Sequence, residues 1–409
     1  MTKRYAKVVQ WTGLSTAAAV LLLSSMGAPT ALAAGSDASA QTLTMPTPPS
    51  TQALSIVLMD ADNGQILYEK DANERRAPAS TTKLMTMLLV MKALKEHKVS
   101  WDEEVPVTPD AYKIATMPDV SDAYLDPKEH FTLQEMMKFI AVLSANDATV
   151  AVADLVGGDQ QSFVAQMNQE AKTLGLTNTH YMNSDGLPEN NHYTSARDLA
   201  TLGRYLVENY PELLQYTSMK QVTVRSGNTW PNTDELLGNY PGVDGLKTGY
   251  TSDAGYCYVG TAEQNGVRII SVVMGDTKTN IHQRFLDTAK LFDYGFHDFT
   301  ESKPLQSGET LPQTVTVKSG KATSIPIKAA NSLIVDLPNG TKGTVKVVTT
   351  PVFAPVKQGD KVGTAEYVVG NQVVGSTDLV AATDDPQANW FVRLLRGIGH
   401  WFTSLLHKL

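Results

Sequence analysis

The chain has 409 residues, of which 42% are hydrophobic and 19% charged, enough for two folded units with cores and the profile of a globular protein. A formal net charge of −8 supplies no basic face for nucleic acid, and that class of partner is set aside. The single cysteine, Cys257, excludes an internal disulfide framework and any cysteine-rich metal cluster, and reads as a small buried core residue.

Lys3, Arg4 and Lys7 open the chain with positive charge, and a largely apolar segment follows, ending in the run from Ala17 to Leu23. Ala31-Leu32-Ala33 then places small residues where a signal peptidase reads. Residues 1–34 therefore read as a secretory signal cut near Ala33 or Ala34, and the mature protein as exported to the outer face of the cytoplasmic membrane and the cell wall. A lone cysteine fits an envelope where disulfides are little used. Residues 35–52, rich in Ser, Thr, Ala and Pro, read as a solvated linker.

Residues 53–68 predict two short strands around the turn Asp62-Asn63-Gly64. Residues 80–96 predict a helix with Leu84, Met87, Leu88 and Met91 on one stripe. Two helical stretches, 133–143 and 148–155, flank Ser144, the second closed by Gly157-Gly158, and 162–174 and 196–208 are helical as well. The segment 243–275 alternates as strands do, and 281–294 closes the unit as a helix. Strands at both ends with helices between them predict an α+β unit over 53–299, an antiparallel sheet joining its two chain ends beside a helical cluster.

Over 300–383 short Val/Ile/Thr runs (314–318, 332–337, 343–349, 361–369, 372–376) alternate with Gly, Pro and Asn turns, predicting a small all-β, sandwich-like domain. It gathers no acid, base or nucleophile and reads as a spacer or docking module. The segment 386–409 predicts an amphipathic helix: Trp390, Phe391, Trp401 and Phe402 share a stripe, with Arg393, Arg396, His400, His407 and Lys408 mostly opposite. Asp384, Asp385 and Pro386 supply start signals for it. Charge interrupts it too often to span a bilayer, and it suits the interface of an anionic membrane.

Three motifs carry chemistry. Ser80-Thr81-Thr82-Lys83 opens an apolar helix, and the i, i+3 spacing puts Ser80 and Lys83 on one face, so that an uncharged Lys83 can take the Ser80 proton. Ser144-Ala145-Asn146 lies where two helical stretches meet; its hydroxyl can relay a proton and its amide can orient a peptide bond. Lys247-Thr248-Gly249 starts a strand, where a cation and a hydroxyl can receive a carboxylate and a glycine lets an extended substrate approach.

In this order and spacing the chain resembles the low-molecular-mass penicillin-binding proteins of the D-alanyl-D-alanine carboxypeptidase family, whose superfamily shares the triplet with the β-lactamases. The resemblance rests on the stretches from Pro78 to Thr86, Ser144 to Ala148 and Asp244 to Thr251, with lesser matches from Tyr193 to Asp198 and Ile270 to Gly275. It implies a β-lactamase-like or penicillin-binding-protein-like catalytic domain that cuts the terminal D-alanine from peptidoglycan stem peptides and is acylated by β-lactams. It further implies Ser80 as nucleophile, Lys83 as base, Ser144 as a proton relay coupled to Lys83 and Lys247, and a carboxylate held by Lys247 and Thr248. Asn146 and Gly249 would accommodate the peptide, and the backbone N–H groups of Ser80 and Tyr250 would hold the oxyanion. Position 250 is Tyr where some relatives carry His, without consequence for a backbone donor. A β-lactamase, or an endopeptidase or transpeptidase on the same fold, is the alternative. No cofactor is expected. No metal is expected either, since His130, His180 and His192 lack ligand spacing, and His180 and His192 read as loop residues bracketing 183–188.

Overall fold

The computed structural model describes residues 43–396 apart from positions 226 and 278. The expected secretory signal, the start of the linker and the last part of the C-terminal helix lie outside the described residues.

Five antiparallel strands form the first sheet: β1 (Ser55–Asp60), β2 (Ile66–Lys70), β3 (Val243–Thr251), β4 (Gly255–Gln264) and β5 (Val267–Asp276), in the order β2-β1-β5-β4-β3. β1 pairs with β5 from Ser55↔Met274 to Asp60↔Ile269, so the two chain ends of the unit meet at the centre of the sheet. Alternate side chains of β1 feed opposite cores. Ile56 and Leu58 pack with Phe285, Leu291 and Phe292 of one helix, while Val57 and Met59 join the larger helical cluster.

That cluster is built around α1 (Lys83–Lys95), buried at Met85, Leu89 and Val90 as well as along the expected stripe. A helix that is apolar nearly all round belongs at the centre of a core. It begins one short 3-10 turn later than expected, because Ala79–Thr82 takes the tighter winding. α2 (Leu133–Lys138) starts at a capping box between Thr132 and Glu135 and then widens into a π-helical stretch, Phe139–Leu143. α3 (Asn146–Gly157), α4 (Gln160–Thr173), α5 (Ala196–Asn209) and α6 (Gln283–Asp298) are the other long helices, the last running four residues beyond its expected end at Tyr294.

The β domain has its own core of Val315, Ile325, Ile327, Val335, Ala365 and Leu379. Phe299–Leu305 pairs with Leu333–Pro338, and a six-stranded sheet runs Thr344–Thr349, Lys361–Val369, Gln372–Ala381, Ser324–Ala329, Thr310–Lys318, Val352–Phe353. The sequence pattern did not reveal Phe299–Leu305 or Ser324–Ala329, since Pro304, Pro326 and Lys328 break the apolar alternation. The β domain is tied to the first unit at the β1–β2 turn, where Asn63 Nδ2 donates to Asp336 Oδ2 at 2.8 Å and Gln65 Nε2 to the Asp336 carbonyl at 2.7 Å.

The C-terminal helix starts at Trp390, capped by Asn389, whose Oδ1 accepts from Val392 N at 2.9 Å. The expected start signal at Asp385 serves another end: it is buried, and its Oδ1 accepts from Ala322 N at 2.9 Å, fastening the tail to the β domain. Among the described residues no helix is long and apolar enough to cross a membrane.

Asp60 and Asp336 meet at the seam. Burial and then the Asp336 charge push the Asp60 carboxyl up to about 7 from 3.8. The folded state therefore keeps a proton that the unfolded chain releases, and stability present in acid is lost as pH climbs from about 4 to about 7. Asp60→Asn, whose Oδ1 can still accept from Asp62 N and Asn63 N, is expected to raise the melting temperature at pH 8, with the gain vanishing by pH 4, as read by calorimetry across that range.

Candidate active site

Ser80 and Lys83 meet because a 3-10 turn eclipses positions i and i+3. Lys83 Nζ lies 3.0 Å from Ser80 Oγ, 2.5 Å from Asn146 Oδ1 and 2.6 Å from the Asp185 carbonyl oxygen. As an ammonium it donates to all three. As a free amine it donates to the amide and carbonyl oxygens and turns its lone pair to the Ser80 hydroxyl. The side chain is wholly buried, and desolvation lowers its pKa to about 8 against the opposing charges of Asp185 and Asp147.

The turn is held in a sprung conformation. Ala79 has φ +50°, in the left-handed region that costs a residue with a Cβ about 1–2 kcal/mol. Opposite it, β3 presses so close that a Cβ on Gly249 would sit 3.1 Å from both Ser80 N and Thr81 N. Gly249 thus lets the strand approach the nucleophile this closely without displacing the turn.

Ser144 ends the π-helical stretch with φ +63°, and its Oγ is buried with no hydrogen-bond partner among the described residues. Neither Lys83 nor Lys247 bonds to it: Lys247 Nζ donates to the Thr248 carbonyl at 3.1 Å. Lys247 is fully buried, and desolvation first, then the Lys83 and Arg284 charges, drive its pKa well down. Thr248 Oγ1 lies 2.7 Å from Thr233 Oγ1, and Arg284 Nη1 donates to the Gly249 carbonyl at 3.2 Å. Tyr250 is half exposed and stacks on Tyr256, ring centroids 4.4 Å apart.

Ser80, Ser144, Asn146, Thr248, Gly249 and Tyr250 line one cleft of about 730 Å³, with Lys83 and Lys247 just behind its wall. Three stretches separated by 63 and 101 positions (83 to 146, 146 to 247) are thus brought to one place. β3 is the outermost strand of its sheet, which leaves one edge free for an extended peptide.

Residues 42–278 match the family of the D-alanyl-D-alanine carboxypeptidases, and 299–387 match the C-terminal domain of penicillin-binding protein 5. The chain belongs to the D-alanyl-D-alanine carboxypeptidase family. It is 36% identical over 360 residues to D-alanyl-D-alanine carboxypeptidase DacF of Bacillus subtilis, covering 86% of this chain and 90% of that one. Crystallised penicillin-binding protein 5 from Haemophilus influenzae superposes with a TM-score of 0.78 at 32% identity, covering 84% of this chain and 100% of that chain. Penicillin-binding protein D2 of Listeria monocytogenes, crystallised in a cefotaxime-bound form, gives 0.56 at 33% identity, covering 61% of this chain and 100% of that one.

This carboxypeptidase-family site also uses residues that the motifs did not disclose. The Asp185 carbonyl, Thr233 and Arg284 belong to the cleft or its wall. Asp147 accepts from Ala123 N, Leu125 N and Ala148 N at 2.8–3.1 Å, which pins the segment carrying Ser121 over the site. His192 accepts from Met182 N at Nδ1, 3.3 Å, so its Nε2–H donates to Thr82 Oγ1 at 2.9 Å. Burial, then His180, lowers its pKa to about 4, and it stays neutral beneath the turn. Asp147 stood beside a motif, and the 183–188 loop between the two histidines was a visible signal; Thr233 and Arg284 gave none.

Gly249→Ala is expected to destabilise the fold by about 1–3 kcal/mol through overpacking against the 3-10 turn. Denaturant unfolding measures this; an unchanged midpoint would show that the turn yields freely.

Proposed function

We propose that this protein is an exported serine carboxypeptidase that removes the terminal D-alanine from peptidoglycan stem pentapeptides through an acyl-enzyme on Ser80. The observation that carries the reading is the 3.0 Å approach of a fully buried Lys83 amine to Ser80 Oγ. A lysine lowered to about 8 is free amine in a useful fraction of molecules near neutral pH.

In this mechanism Lys83 Nζ takes the Ser80 proton while Asn146 Oδ1 and the Asp185 carbonyl hold its two remaining hydrogens. Ser80 Oγ bonds to the carbonyl carbon between the two D-alanines, and the oxyanion is received by the backbone N–H groups of Ser80 and Tyr250. Ser144 passes a proton to the departing amine as the C–N bond breaks. Thr248, Thr233 and Lys247 receive the substrate carboxylate, with Arg284 adding positive charge. The anion would draw the proton back onto Lys247, since an opposite charge favours the ammonium. Water then hydrolyses the ester, returning the proton to Ser80 and leaving a tetrapeptide. β-Lactams, which the Listeria relative binds, acylate the same hydroxyl.

The basic and apolar start of the sequence and its amphipathic C-terminal segment support a site of action outside the cell, on the membrane surface. Trp390, Phe391, Leu394 and Leu395 are 51–70% exposed, an apolar row suited to the lipid interface.

Ser80→Ala is expected to abolish both D-alanine release and labelling by a fluorescent penicillin; surviving label would exclude this nucleophile. In the parent, the penicillin acylation rate should rise with pH through a midpoint near 8, as Lys83 loses its proton. Deletion of residues 386–409 should move the protein from the membrane pellet to the soluble fraction.

A further inference from the structure

Where the chain passes from α6 into the β domain, the two units meet around a hollow of about 140 Å³. Leu67, Ile269 and Phe299 give it apolar walls, and Asp60, Glu301 and Asp336 bring three carboxyl groups to it. Asp60 is wholly buried at the end of β1, and Asp336 is 4% exposed on the facing strand of the β domain. Asp60 Oδ1 accepts from Asp62 N and Asn63 N, both at 2.9 Å, while its Oδ2 has no donor among the described residues. The Asp60 and Asp336 carboxyls lie close enough to share a hydrogen bond across the seam. Two carboxylates hold no hydrogen for such a bond, so one of the pair must keep its proton. We propose that the proton held between Asp60 and Asp336 is a latch closing the β domain on the catalytic unit, and that the seam opens locally when this proton is lost. The device belongs to the fold and stands apart from the reaction in the cleft.

The other ties at the seam come from uncharged groups. Asn63 and Gln65 donate to Asp336 from the β1–β2 turn, and Asp336 N donates back to Gln65 Oε1 at 2.9 Å. At the crossing point, Asn339 N donates to the Asp298 carbonyl at 3.0 Å and its Nδ2 to the His297 carbonyl at 2.6 Å. That corner does not titrate and serves as the hinge. The latch is the part that responds to pH.

Charge around the pair is lopsided. The β1–β2 turn adds Asp62, and the strand Phe299–Leu305 adds Glu301, whose Oε2 is buried without a partner. Glu263 of β4 faces Asp62 as well. The cations are engaged elsewhere. Lys303 Nζ lies 2.9 Å from Glu301, and Arg268 of β5 is bound by Asp244 and Glu263 at 2.9 and 2.7 Å. Arg204 of α5 donates to the carbonyls of Ala61 and Asp62, and the His297 imidazole of α6 is exposed, 4.0 Å from Asp293. A second negative charge at Asp60 therefore sets like charges against each other across the seam. Burial and then the Asp336 charge hold the Asp60 carboxyl at about 7 in the closed seam, against its ordinary 3.8. The latch is firm below the lower value, weakens as pH rises between the two, and is weakest above the higher.

Amide hydrogen exchange on the full chain tests this. The Asp336 N–H, which donates across the seam to Gln65, reports the latch directly. Corrected for the intrinsic rate, its protection should fall by about tenfold or more between pH 5 and pH 8. The loss should be insensitive to dilute denaturant, as local opening is, while amides in the strand Lys361–Val369 exchange only through denaturant-sensitive unfolding. In D60N the side-chain amide gives Asp336 a donor at every pH, and the fall should disappear. D336N supplies a permanent donor from the other side and should flatten the profile equally. Protection in the parent that is flat from pH 5 to pH 8 would overturn the latch. So would a fall that persists in both variants, or one that the strand Lys361–Val369 shares in parallel.

Discussion

The whole site depends on a lysine ammonium taken out of water. Charge in a protein interior is costly, and Lys83 meets that cost in two ways: three oxygen acceptors surround its nitrogen, and part of its population gives up the proton. Each acceptor comes from a different region of the chain, and so the fold must assemble fully before the lysine is satisfied. The Asp185 carbonyl, 102 positions from Lys83, is as much a part of this arrangement as the amide of Asn146.

The strain around the nucleophile follows from the same requirement. Ala79 and Ser144 both sit in left-handed backbone, one before the attacking hydroxyl and one at the end of a π-helical stretch. Such residues persist only where their surroundings over-determine them. Here a strand that leaves little room for a Cβ at Gly249 presses on one, and a nearly all-apolar helix, α1, anchors the turn from below. Two buried lysines and a buried arginine then share one neighbourhood, where burial and then mutual repulsion hold Lys247 well below its usual pKa, and an anionic group in the cleft would favour its ammonium again.

How much of this the sequence discloses depends on the range of the interaction. The Ser80–Lys83 pairing is local, and the order of the three motifs carried the family resemblance, so the catalytic cluster was legible. The exact winding was not, because a 3-10 turn and the first turn of an α-helix share the i, i+3 signature. The Asp185 carbonyl leaves no trace in residue identity, since any residue has one. Thr233 and Arg284 lie in segments with no motif and reach the cleft through the sheet and α6. In the β domain, regular Val and Ile spacing revealed the central strands, while Ser324–Ala329 and Phe299–Leu305 were hidden by proline and charge at positions the other strands cover. Asp385 looked like a helix start and proved to be a buried fastener, because short acidic residues serve caps and loops alike.

The central claim concerns the protonation of one nitrogen, and NMR titration of isotopically labelled lysine side chains, with Lys83 assigned through Lys83→Arg, observes it directly. The account predicts a Lys83 midpoint near pH 8 in the uncomplexed protein. A Lys83 that keeps its proton to pH 10 would contradict it.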